Sequence, residues 1–247
     1  MTYCLGMRLN DGLVFVSDSR TNAGVDSVST FRKCYIFDGV PDRVVVILTA
    51  GNLSIAQSVI SLIEERIDSD DPTRSIYRCE SMYDTVRLVG RAIREVYDLD
   101  GPALERHGAE FNVSLVVGGQ IRGRRMRLFN VYAAGNFIEA TSETPYFQLG
   151  ETKYGKPIIE RVLRMETPLV KAAKCALVSF DSTIRSNLSV APPIDLVICP
   201  RDKLTASVVW HIEDDDPYFK DIRQQWGRGL RNLFDDLPDP NWANHTF

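Results

Sequence analysis

The order in which the apolar pattern changes its period constrains the fold of this chain more than any other feature. Residues 3–9 (YCLGMRL) and 13–17 (LVFVS) are short apolar runs parted by Asn10-Asp11-Gly12, the pattern of a β-hairpin. Residues 31–37 alternate polar and apolar, Asp38-Gly39 supplies a turn, and 43–49 (RVVVILT) is an apolar, β-branched run. That is a second hairpin. The period then lengthens from two to between three and four. From about Asn52 to Asp68, Leu53, Ala56, Val59, Ile60 and Ile63 recur at helical spacing. Met82, Val86, Val89, Ile93 and Val96 do the same from about Ser81 to Tyr97, after an Asp-rich connector over 68–73. Strands return at 111–118 and 125–133 around a Gly/Arg turn, with short pieces near 136–140 and 145–149. Helical patterns follow at about 154–164 and 168–187, then a strand pair at 194–199 and 204–211. An amphipathic helix over Pro217–Phe234 carries Phe219, Ile222, Trp226 and Leu230, and Leu237-Pro238-Asp239-Pro240 breaks structure after it.

Helices gathered between hairpins do not build an alternating βαβ sheet. The predicted class is α+β, layered, with antiparallel sheets. Nothing in the sequence marks a repeat or a linker, so one domain is the economical reading. A chain of 247 residues buries enough surface to fold without a disulfide or a metal. Hydrophobic residues at 44% and charged residues at 25% exclude a disordered chain. Lys+Arg at 29 against Asp+Glu at 33 leaves a net charge of −4, without the basic excess of a nucleic-acid binder. No apolar run approaches the roughly 18 residues of a membrane span, so no membrane partner is expected. Cys4, Cys34, Cys79, Cys175 and Cys199 are odd in number and scattered, with no zinc spacing; reduced thiols in a cytoplasmic protein are the simple reading. The start, Met1-Thr2-Tyr3-Cys4, has no basic region, apolar core or cleavage site. No signal peptide is expected, and the fold is expected to begin at the second residue.

The familiar site motifs are missing. There is no GxGxxG after a strand, no Walker A, no HExxH and no GxSxG. His107, His211 and His245 lie far apart, and surface or structural roles suit them better than catalysis. Thr2 is different. Removal of a methionine that precedes a small residue would leave an α-amine and a hydroxyl on one residue. An α-amine, with a pKa of about 7.7–8.0, is partly neutral at physiological pH and can take the hydroxyl proton. Three further residues join it. Asp18 ends a strand, Lys33 lies in the next one, and Gly51 sits where a strand passes directly into a helix. Taken singly, each has a plainer explanation: a strand stop for Asp18, a snorkelling side chain for Lys33, a tight turn for Gly51, a solvated helix position for Asp181.

As an ordered set these residues resemble the proteasome β-type family of N-terminal nucleophile hydrolases, the HslV-type bacterial subunit in particular. The resemblance rests on Thr2-Tyr3…Gly6, Ser17-Asp18-Ser19-Arg20, Thr21-Asn22-Ala23-Gly24, Lys33 and Ala50-Gly51. Further segments are similar to a narrower bacterial group, Anbu. These are residues 148–156 (QLGETKYGK), Ser179-Phe180-Asp181-Ser182-Thr183, Ser186-Asn187, Pro192-Pro193-Ile194-Asp195 and the extended acidic tail. The resemblance implies a four-layer αββα sandwich over residues 1–212, with 213–247 as an acidic C-terminal helical extension packed on the same domain or on a neighbouring subunit. It implies a threonine peptidase or amidase without cofactor or metal, assembled as a homo-oligomeric ring or ring-like particle and acting on peptides or peptide-like amides, with an unfoldase or accessory partner left open. It implies Thr2 as nucleophile, Lys33 easing its deprotonation, Asp18 pairing Lys33, Gly51 N–H facing the oxyanion, and Asp181 contacting the N-terminal amine. Two departures stand out: Gly150-Glu151-Thr152 replaces a Ser-Gly pair, and Ile184 stands where the family places a Ser. Two rival classes stay open, a specialised amidase or transpeptidase on the same fold and an inactive assembly subunit or scaffold.

Overall fold

The alternation within YCLGMRL sets the first sheet. In a computed structural model that describes residues 2–22 and 28–240, β1 (Tyr3–Leu9) and β2 (Gly12–Asp18) pair antiparallel, from Cys4 opposite Ser17 to Leu9 opposite Gly12. β3 (Arg20–Asn22) and β4 (Val28–Thr30) make a small hairpin of their own. β5 (Cys34–Phe37) and β6 (Arg43–Gly51) form the next, and α1 (Leu53–Glu65) and α2 (Met82–Arg106) follow. The chain continues through β7 (Val113–Ile121), β8 (Arg127–Val131), β9 (Phe137–Glu139) and β10 (Tyr146–Gly150). Helices α3 (Lys156–Val162) and α4 (Leu169–Ser186), strands β11 (Ile194–Pro200) and β12 (Val208–Ile212), and helix α5 (Pro217–Asp235) complete it. Two five-stranded sheets result, ordered β10-β1-β2-β11-β12 and β5-β6-β7-β8-β9, with every neighbouring pair antiparallel. The class is α+β, as the hairpin–helix–hairpin order predicts.

Side-chain alternation along each strand decides what packs where. On β1, Tyr3, Leu5, Met7 and Leu9 pack with Ala172, Ala176 and Phe180 of α4 and with Phe219 of α5. The opposite face of this sheet, with Cys4, Leu13 and Phe15, meets Val44, Val46, Val116 and Leu128 of the second sheet. The far face of the second sheet, with Val45, Ile47, Leu115 and Val117, is covered by Val59 and Ile63 of α1 and by Val86 and Ile93 of α2. Each such aliphatic or aromatic side chain contributes about 1.5–3 kcal/mol when fully buried. The sheets approach closely at Gly6, where a Cβ would lie 2.7 Å from Val116 Cγ1.

Helix caps mark where the period changes. Asn52 accepts from Ser54 N at the start of α1, and Ser81 accepts from Asp84 N at the start of α2. Three of the boundaries that differ from the sequence reading have a local cause. Helix α2 runs past Tyr97 to Arg106 despite Pro102, because Gly101 leaves room for the Tyr97 ring and Tyr97 Oη donates to Glu105 at 2.9 Å. β12 begins at Val208 rather than at 204, because Asp202 and Leu204 have φ of 63° and 56°, which no strand contains. β5 begins at Cys34, since Phe31 N–H is spent on Ser19 O and Lys33 O accepts from Thr49 N at 2.9 Å. All five cysteines are free and buried. Among the described residues, no helix is long and apolar enough to cross a membrane.

Candidate active site

The β1–β2 hairpin turns at residues 10–11, so its open end brings the start of β1 beside the end of β2. Tyr3 N–H donates to Asp18 Oδ1 at 2.9 Å there. The Thr49–Lys33 backbone bond holds the approach to β5 against β6 and aims Lys33 inward. Lys33 Nζ donates to Asp18 Oδ2 at 3.0 Å and to Arg20 O at 2.5 Å. Asp18 is 0% and Lys33 4% exposed, so both charges are out of water. Either alone would cost several kcal/mol in such a place, and the pairing offsets that cost. Burial pushes the Asp18 carboxyl up to about 6, opposed by the Lys33 charge and the Tyr3 N–H. Asp18 is therefore ionised at neutral pH.

Gly51 closes another side. Its φ is +106°, and a Cβ there would lie 2.5 Å from Asn112 O, so the position accepts glycine alone. Asn52 N–H donates to the same Asn112 O at 2.7 Å, and its side chain caps α1. The N-terminus of α1, with its partial positive charge, thus opens on the site. Thr2 is held from the other flank by β10. Glu151 N–H donates to Thr2 O at 2.8 Å, and Gly150, with φ +77°, lets the two backbones touch, since a Cβ there would fall on Thr2 O.

These elements enclose a cavity of about 540 Å³, with Thr2, Thr21, Lys33, Thr49, Gly51 and Asn112 among its lining and apolar wall from Leu53 and Ala56. That size suits a side chain and its flanking amide. Thr21 Oγ1 is buried and makes no hydrogen bond among the described residues, so it offers a polar contact to whatever enters.

Sequence reasoning gave no role to a second layer behind Thr2. Tyr3 Oη meets Ser179 Oγ at 2.5 Å and accepts from Gln148 Nε2 at 2.6 Å, and the Tyr3 ring lies 4.5 Å from that of Phe180. Burial pushes the Tyr3 phenol well up, so it stays neutral. Glu151 accepts from Asn187 Nδ2 at 3.0 Å. The only sequence signal for this layer is that Gln148, Glu151, Ser179 and Asn187 all fall inside the segments similar to Anbu.

The structure brings Thr2, Asp18, Lys33 and Gly51 together, and Asp181, on α4, is not among the residues that line the cavity. Asp181 is 1% exposed, not a solvated helix position. Arg185 Nε lies 3.2 Å from both of its oxygens and Arg223 Nε 2.9 Å from Oδ1, which ties α4 to α5. Among the described residues its hydrogen bonds run to these arginines and not to Thr2. His107 caps α2, His211 pairs with Asp195 at 2.6 Å, and His245, Ala23 and Gly24 lie outside the described residues. Among the described residues no cluster of His, Cys, Asp or Glu is arranged to hold a metal.

No protein-family model matches the chain, and no curated protein does. Solved structures do. Anbu (ancestral β-subunit) from Yersinia bercovieri is 49% identical over 97% of this chain and 99% of that one, with a TM-score of 0.91. The Anbu complex from Pseudomonas aeruginosa, described as a helical assembly, is 49% identical over 99% of this chain and 100% of that one, with a TM-score of 0.93. The Gly-1 mutant of Anbu from Hyphomicrobium sp. strain MC1 is 45% identical over 98% and 100%, with a TM-score of 0.91.

Proposed function

The chain belongs to the Anbu family of proteasome-related ancestral β-subunits, and from that premise we propose that it is an N-terminal threonine peptidase or amide hydrolase whose nucleophile is Thr2. The observation that carries the reading is the buried Asp18–Lys33 pair, 3.0 Å apart, at a cavity that Thr2 also lines. In this reading Met1 is removed. The freed α-amine takes the Thr2 hydroxyl proton, directly or through a water, as Oγ attacks the substrate carbonyl. The Lys33 ammonium lowers the cost of the forming alkoxide, and Asp18 keeps Lys33 charged and in place. Gly51 N–H, at the mouth of α1, receives the oxyanion. The proton passes to the departing amine, an ester remains on Thr2, and water releases the acid by the same route in reverse.

The finer architecture belongs to the same proposal. Two sheets packed face to face, with α1 and α2 on one outer face and α4 on the other, support a four-layer αββα sandwich over 1–212. Residues 213–247, of which 241–247 lie outside the described residues, then form a C-terminal extension, helical over Pro217–Asp235 and anchored by Phe219 and by Arg223 on Asp181. A relative described as a helical assembly supports a homo-oligomer, ring or ring-like, working in the cytoplasm on peptides or peptide-like amides.

Activity profiling on a peptide library tests the reading, with wild type of confirmed mature mass against Thr2→Ala. The expected loss is at least about 10³-fold. Equal turnover by the two proteins would move the nucleophile elsewhere. One observation favours a second reading, an inactive scaffold: both Asp181 oxygens are engaged by arginines. Retention of Met1 in the native assembly, together with no epoxyketone adduct on Thr2, is the outcome that reading requires.

A further inference from the structure

At the end of the sheets away from Thr2, the strand period places an arginine where an apolar residue belongs. Arg8 follows Cys4 and Gly6 on the face of β1 that packs against the second sheet, while Met7 and Leu9 face α4. Its Nε is buried and has no hydrogen-bond partner among the described residues. A guanidinium so placed is costly unless something neutralises it. Desolvation and the neighbouring Arg125 charge hold its pKa below the ordinary arginine value, against the raising charge of Glu139.

A cavity of about 300 Å³ opens beside it, with Arg8, Arg124, Arg125, Arg201, Gln120 and Asp202 in its wall. Arg124 and Arg125 come from the β7–β8 turn, and Arg201 from the β11–β12 turn. Buried Gln120 locks these turns to each other. Its Nε2 donates to Arg124 O at 2.9 Å and to Asp202 Oδ1 at 2.7 Å, and its Oε1 accepts from Asp202 N at 2.8 Å. The nearby carboxylates are already engaged: Asp202 by Gln120, and Glu139 by Arg125 at 3.1 Å and by Arg127 at 2.5 Å. The side chains of Arg124 and Arg201 make no hydrogen bond or ion pair among the described residues. The wall thus holds four guanidiniums, Arg8, Arg124, Arg125 and Arg201, against the Asp202 carboxylate and a Glu139 charge shared among Arg8, Arg125 and Arg127, an excess of positive charge.

We propose that this cavity binds a phosphate group, free or as a phosphate monoester. Several convergent guanidiniums call for a ligand with more than one charge and several acceptor oxygens, which phosphate supplies and a single carboxylate does not. The volume exceeds that of the ion and leaves room for a small carrier. The site lies about 20 Å from Thr2, the length of β1 at ~3.3 Å per residue.

Thermal unfolding of the full chain, in phosphate against chloride at equal ionic strength, is the test. The wild-type midpoint rises by about 2–4 °C once phosphate exceeds its dissociation constant roughly fivefold. Arg8→Met keeps the apolar stem and removes the buried charge, and it abolishes the difference. Arg201→Gln, at an exposed position that folding does not need, weakens phosphate at least about tenfold. A larger shift with glucose 6-phosphate than with inorganic phosphate identifies a monoester, and equal shifts identify the free ion. The proposal is overturned by equal midpoints in phosphate and chloride, by a shift that survives in both variants, or by an Asp-rich peptide that shifts the midpoint where phosphate does not.

Discussion

At the Thr2 end of β1, Lys33 donates one N–H to Asp18 and another to Arg20 O, whereas at the Leu9 end the half-buried Arg8 has its Nε facing no acceptor among the described residues. Both ends withdraw a cation at least partly from water, and they balance it differently. The first is neutral as a unit, so a third Lys33 proton can face a neutral amide without calling an ion into the cavity. The second carries more guanidiniums than carboxylates, with Glu139 shared among Arg8, Arg125 and Arg127. In the readings proposed above, the matched charge orients a reacting group and the excess charge selects a ligand.

The largest expected effect comes from unbalancing the first end. Lys33→Ala leaves Asp18 buried and alone, which costs about 3–5 kcal/mol in urea unfolding and at least about 10²-fold in peptide turnover. Lys33→Met combined with Asp18→Asn recovers most of the stability and none of the activity. Recovery of both would show that the pair is structural only. Gly51→Ala comes next. Its Cβ meets Asn112 O at φ +106°, so about 1–3 kcal/mol is lost, and turnover falls further than the melting shift accounts for. Acidity breaks the balance reversibly. With Asp18 at about 6, the pair is charged above that pH and loses the Asp18 charge below it, so turnover falls about tenfold per unit on the acid side of 6. The same carboxyl binds its proton more tightly folded than unfolded. Its contribution to stability is therefore largest below about pH 4 and declines as pH rises toward 6. A pH–rate profile with no limb near 6 would detach Asp18 from catalysis. The smallest effect belongs to the other end. In phosphate-free buffer Arg8→Met raises stability by a few tenths to about 1 kcal/mol, because it removes a partly desolvated charge that only the shared Glu139 offsets. A loss of more than 1 kcal/mol would reveal a native partner and dissolve the contrast between the two ends.

The hairpins, the paired helices and the order of elements along the chain were legible because a period of two or of 3.6 reports directly which face is buried. The β3–β4 hairpin was not, since strands of this length at Arg20–Asn22 and Val28–Thr30 carry no apolar alternation. The late start of β12 was hidden because Asp202 and Leu204 adopt left-handed φ without a glycine to announce it. At the candidate site, Thr2, Asp18, Lys33 and Gly51 could be singled out because each stands at a strand end, where a change of residue type is visible. The Tyr3–Ser179–Gln148 layer could not, because its members lie far apart in sequence and meet only through the packing of α4 on β1 and β10. The burial of Asp181 was hidden for a related reason. Its carboxylate is claimed by Arg223, from a helix whose docking the sequence left open between its own core and a neighbour.

The buried cysteines have a use of their own. Cys4 sits two residues after Thr2, with its Sγ 3.5 Å from Thr49 O, and burial pushes its thiol well above the ordinary value. Burial also pushes Cys34 well up and Cys79 up, while Cys175 is pushed up to about 11 and Cys199 to about 12. Thiolate is then scarce throughout the folded chain, and an electrophile that enters the cavity meets the Thr2 hydroxyl rather than sulfur. Cys79 lies in the core under α1 and α2, Cys175 in the core under α4, and Cys4, Cys34 and Cys199 between the sheets. Each core thus carries its own label-ready clock, and the rate of alkylation at each cysteine reads out how often that layer opens.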